Sequence, residues 1–86
     1  MNWETVLKAG MPKRYARIIE VIMSDEKKRT GAQVHDDVKN YFSDNKARDV
    51  RTLRNLPEIS QFHAYMAKMS RRGVYQVSGK RVKEYQ

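Results

Sequence analysis

The stretch PEISQFHAYMAKMSRRGVYQVSGKRVKEYQ, residues 57–86, decides the fold because its apolar period changes inside it. Up to Met69, the residues Ile59, Phe62, Met66 and Met69 recur at three- and four-residue steps. That spacing puts them on one face of a helix. Pro57 suits a first helical turn, where its missing N–H is not needed. Glu58 places negative charge near the positive end of the helix dipole. Lys68, Arg71 and Arg72 crowd the last turn, and Gly73 supplies the stop. Beyond it, Gly73–Val77 and Arg81–Tyr85 alternate around Ser78-Gly79-Lys80, which predicts a β-hairpin.

At about 100° per residue, the side of this helix opposite its apolar stripe carries Ser60, Gln61, Ala64, Lys68 and Arg71. A small residue sits at the centre, with polar groups toward the start and cations toward the end. A helix entering a DNA major groove needs that arrangement. Small side chains let the backbone approach, Gln bonds base edges, and Lys or Arg meets phosphate or guanine. An ordinary amphipathic helix also turns a polar face outward, so this pattern alone does not define a site.

Charge adds a second signal. The 86-residue chain has a formal net charge of +8, and residues 45–86 hold ten cations against three anions. Residues 25–44 are slightly acidic instead. A basic excess gathered in one half attracts polyanions, whereas a charge kept only for solubility has no reason to gather there. The chain is long enough for one domain, 1–86, and too short for a deep catalytic cavity. A domain this size buries about 60% of its unfolded surface. With no cysteine there are no disulfides, thiolate metal sites or cysteine nucleophiles. No apolar run reads as a secretory signal or a membrane span, so the expected address is the cytoplasm, nucleoid-associated if DNA is bound.

The remaining chain reads as helices. Asn2 caps a short helix from Trp3 to Ala9, within an N-terminal extension that Gly10 ends. Pro12 opens the next helix, whose apolar face is Met11, Tyr15, Ile18, Ile19 and Ile22. It ends near Met23 or Ser24. Asp25-Glu26-Lys27-Lys28-Arg29 is a charged connector. Thr30-Gly31-Ala32-Gln33 matches a capping box. The helix after it turns Val34, Val38, Tyr41 and Phe42 inward. His35, Asp36 and Asp37 hint at metal or nuclease chemistry. His35 and Asp36 are adjacent, though, and point about 100° apart, and acids in a first turn favour the helix dipole. His63 falls beside the apolar stripe as a packed or edge histidine. Ser43-Asp44-Asn45 breaks the helix. Residues 45–56 read equally as a short helix or an ordered loop; as a helix, Arg48, Arg51 and Arg54 form one basic edge. The expected core includes Ile18, Ile22, Val38, Phe42, Phe62, Met66 and Met69. No motif supports a catalytic, metal or cofactor site.

The order of elements, and above all Phe62-His-Ala-Tyr-Met-Ala-Lys-Met-Ser-Arg-Arg-Gly-Val-Tyr-Gln-Val-Ser-Gly-Lys-Arg-Val, resembles the winged helix-turn-helix superfamily. The resemblance covers residues 12–86, and its specific part is the last 30 residues. It implies a mainly α fold, with a helical body at 11–72 and a small C-terminal antiparallel β-hairpin, the wing, at 73–86. It also implies that Gln61, Ala64, Lys68 and Arg71 face the major groove, with Lys80 and Arg81 at the wing tip. Ser60, Arg72 and Lys83, and the basic edge Arg48, Arg51 and Arg54, complete the candidate nucleic-acid surface. Three departures stand out. The stretch between Thr30 and Pro57 is long for a helix-turn-helix, the wing loop is very short, and a first strand is no more than a stub at Lys28-Arg29-Thr30.

Two functions follow as expectations. The first is a non-enzymatic protein that binds duplex DNA, a small regulator in transcription or DNA metabolism. The alternative is a protein-interaction module whose basic surface binds an acidic partner in transcription or replication machinery. The chain has no sustained heptads that would predict a coiled-coil dimer, and its oligomeric state is left open.

Overall fold

A computed structural model describes residues 10–44 and 54–86. The short helix expected before Gly10, and Arg48 and Arg51 of the basic edge, lie outside the described residues. Gly10 itself has φ +79, the left-handed backbone expected of a helix stop.

Helix α1 spans Lys13–Met23. Pro12 is its N-cap rather than its first turn, with ψ 137. The Pro12 carbonyl accepts the Tyr15 and Ala16 N–H groups, both at 3.1 Å. The buried face is Met11, Tyr15, Ala16, Ile19 and Met23, while Ile18 and Ile22 are only half-buried. The apolar face expected from spacing is thus turned toward Ala16 and Met23. Apolar residues occupy seven positions of this helix, and periodicity alone does not say which of them centre the stripe.

The charged connector is fastened down. Arg29 donates to both carboxylate oxygens of Asp25, at 2.7 and 2.6 Å, and to Asp37 at 2.7 Å. This bidentate pair holds the Asp25 carboxyl well below the usual carboxylate range. The connector then supplies strand β1, Arg29–Thr30. Thr30 serves twice. Its Oγ1 accepts the Gln33 N–H at 3.1 Å, and its own N–H donates to Gln33 Oε1 at 2.8 Å. This is the expected capping box, and it starts helix α2, Gly31–Asp44.

Val34 and Val38 of α2 are fully buried, whereas Tyr41 and Phe42 are half-buried at its edge. Phe42 meets Tyr15 edge-on, with ring centroids 5.7 Å apart. His35 meets Phe62 in the same way at 5.1 Å. Contrary to the spacing argument, the His35 ring and the Asp36 carboxylate do approach each other, at 3.3 Å. Among the described residues, no group of three His, Cys, Asp or Glu is placed to hold a metal.

Helix α3 spans Ile59–Arg71. Its N-cap is Glu58, so Pro57 lies one residue before the cap and is buried. Phe62, Tyr65, Met66 and Met69 are its buried face. Ile59 is 43% exposed and leaves the stripe, and Tyr65 takes a place the spacing did not assign to it. His63 is exposed, with its ring over Gly31, where a Cβ on Gly31 would collide with it.

The chain closes with β2, Val77–Ser78, and β3, Glu84–Tyr85. The sheet is antiparallel in the order β1-β3-β2, pairing Arg29 and Val77 with Tyr85, and Thr30 and Ser78 with Glu84. Gln76 and Gln86 extend the ladder with reciprocal bonds of 3.2 and 2.9 Å. The stub strand is therefore real, and the last strand inserts between the other two. The hairpin loop runs from Gly79 to Lys83, longer than the expected Ser78-Gly79-Lys80. Tyr75 and Tyr85 dock the hairpin onto the hydrophobic core cluster, at 8% and 3% exposure. The architecture is mainly helical with one small antiparallel sheet.

Candidate nucleic-acid interface

The C-terminal end of α3 determines where its cations go. The Gly73 N–H donates to the Ser70 carbonyl at 3.1 Å, and the Val74 N–H donates to the Met69 carbonyl at 3.0 Å. Gly73 has φ +77. These two bonds, with a left-handed glycine between them, form a Schellman stop. The stop turns the chain from α3 toward β2 within a few residues. Arg71 lies near enough to the buried Tyr85 hydroxyl of β3 for its charge to act there. Burial raises the Tyr85 pKa, and the Arg71 charge opposes that rise.

On α3, Ser60, Gln61, Ala64, Arg71 and Arg72 are exposed and Lys68 is half-buried. On the hairpin loop, Lys80, Arg81 and Lys83 are all exposed. Arg54 is exposed as well. The loop that carries the wing cations depends on Gly79. Its φ is +100, and a Cβ there would collide with the Val82 carbonyl oxygen. Val82, between the cations, is 63% exposed.

Gln61 is held differently from the rest. Its Oε1 accepts the Glu58 N–H at 2.9 Å, which closes the N-terminus of α3. A bidentate contact to adenine needs both the amide carbonyl and the amide N–H of a glutamine. As placed, the Gln61 carbonyl spends one of its two lone pairs on the cap. The face also has neighbours that sequence reasoning did not assign to it. Gly10, Met11 and Pro12 share a cleft of about 170 Å³ with Pro57, Gln61 and Ala64. The chain before α1 thus flanks the small-residue centre of the face. No sequence signal places it there, because the approach is made by tertiary packing across the core.

No family model, curated protein or solved structure matches this chain. No helix among the described residues is long and apolar enough to cross a membrane.

Proposed function

We propose that this chain is a winged-helix protein that binds duplex DNA without enzymatic activity, a small regulator in transcription or DNA metabolism. The observation that carries the reading is the set of exposed cations in the C-terminal part of the chain. Arg71 and Arg72 end α3, and Lys80, Arg81 and Lys83 occupy the loop of the hairpin that follows. The order helix, strand, helix, helix, hairpin, with the last strand between the other two, supports the winged-helix assignment. Phosphate contacts from these cations supply most of the affinity, because the readout group Gln61 is engaged in capping. Titration of duplex DNA at several salt concentrations tests the proposal. A steep fall of log affinity with log salt, by about 0.9 per phosphate contact, is expected. Negligible affinity for duplex at low salt would overturn it and favour an acidic protein partner.

A further inference from the structure

Among the described residues, the two most exposed large apolar side chains stand in surroundings of opposite charge. They are Val82, at 63%, and Val21, at 57%. Val82 lies in the hairpin loop between Arg81 and Lys83, with Lys80 just before them. Gly79 folds back on the Val82 carbonyl, so the loop is a compact knob whose docking costs little ordering.

Val21, Ile22 and Tyr41 are the apolar part of a groove of about 420 Å³ between the C-terminal halves of α1 and α2. Asp25, Asp37 and Asp44 also line it. Its one cation, Arg29, already donates to Asp25 and Asp37. Three carboxylates against one guanidinium leave two negative charges, in a chain of net charge +8. A lone exposed valine needs no explanation. Here each valine's surroundings supply what the other's lack: an apolar knob among three cations, and a part-apolar groove with an excess of acids. No residue of the loop lines the groove of its own chain, so the two surfaces can meet only between copies.

We propose that the hairpin loop of one copy docks into the α1–α2 groove of a second copy. Val82 covers Val21 and Ile22, while Lys80, Arg81 and Lys83 meet the carboxylates of Asp25, Asp37 and Asp44. Loop and groove are different surfaces, so the contact is head-to-tail. Each pair keeps one free loop and one free groove, and association continues past the dimer. A four-residue loop buries far less than the about 1,200–2,000 Å² of a stable interface, so each contact is weak and forms at high protein concentration.

Sedimentation equilibrium of the full chain tests this. It is run without nucleic acid, so its outcome is separate from that of the DNA reading. The average mass should rise with protein concentration past twice the monomer, and less so at high salt, which screens exposed charges. Val82→Glu should weaken each contact about tenfold, through lost apolar burial and a repelled charge. It also lowers the net positive charge, so general repulsion between copies cannot account for the loss. Val21→Gln, which leaves the net charge unchanged, should weaken each contact about fivefold. Both positions are exposed, and circular dichroism should show both variants folded. An equal mixture of the two should associate with the strength of the wild type but stop at the dimer. The Val21→Gln copy keeps an intact loop, and the Val82→Glu copy keeps an intact groove. A mass that stays at the monomer overturns the proposal and leaves the groove to a basic segment of another protein. A wild type that stops at the dimer overturns it too, because that contact is symmetric. So does a mixture that associates no better than either variant alone.

Discussion

Single residues in this chain are constrained mostly by the backbone and by close approaches. Gly79 is the sharpest case, since both its φ of +100 and the Val82 carbonyl exclude a side chain. Gly79→Ala should cost more than about 1 kcal/mol, read as a lower urea midpoint with an unchanged slope. Gly31 is constrained differently. A Cβ there meets only the exposed His63 ring, and that ring can be removed. Gly31→Ala should therefore destabilise the wild type, and the same change in a His63→Ala background should cost much less. Additive effects in this double-mutant cycle would mean that the helices do not meet at this point. Asp25 links stability to pH. Its folded-state pKa is depressed by Arg29 from the ordinary value of 3.8. Its contribution is fully present above pH 4 and is lost as pH falls through the lower folded-state value. Melting temperatures of wild type and Asp25→Asn should thus differ at neutral pH and converge in acid. The pair is exposed, so the difference should be small and should shrink with salt.

The elements were legible in the sequence where local signals are strong, and obscured where packing decides. The ends of α1, the Thr30 capping box and the Gly73 stop are fixed by short-range chemistry, and all three stand where the spacing put them. Burial around α1 was not legible to the same degree. Ile22 and Ile19 are equally apolar, but only Ile19 is fully enclosed. Ile19→Ala should cost about 2–5 kcal/mol, Ile22→Ala clearly less, and Val21→Ala, at a 57% exposed position, within about 0.5 kcal/mol of zero. Equal losses at Ile19 and Ile22 would restore the face expected from spacing. The hairpin register was hidden for another reason. Residues 73–85 alternate in a way that suits several turn positions, and a period of two does not choose among them. The backbone at Gly79 and the docking of Tyr75 and Tyr85 make the choice. β1 was the hardest to see, because two polar residues in a charged connector become a strand only when β3 arrives beside them. On α3, the cations were readable from composition, but the capping bond of Gln61 was not.

At the scale of the whole molecule, charge is unevenly placed along the chain. The hairpin loop and the end of α3 carry exposed cations, while Glu20 and Glu26 lie along a groove beside the end of α1. If the proposed DNA reading holds, affinity should depend on where a charge sits and not only on how many there are. Lys80 and Lys39 are both exposed lysines, one in the wing loop and the other on the solvent side of α2. Lys80→Ala and Lys39→Ala lower the net charge equally and leave the core intact. A phosphate contact at Lys80 releases about one counterion, so Lys80→Ala should reduce the salt slope by about one unit and weaken all duplex sequences alike. Lys39→Ala should shift affinity slightly through the long-range field, with the slope unchanged, because screening removes distant charge within about 10 Å at 0.1 M salt. Fluorescence anisotropy with a labelled duplex, repeated across salt concentrations, reads both quantities together. Equal losses of affinity and slope from the two variants would mean that net charge alone attracts the DNA. The wing would then have no assigned role in DNA binding, and its cations would be better explained as a docking surface for an acidic protein.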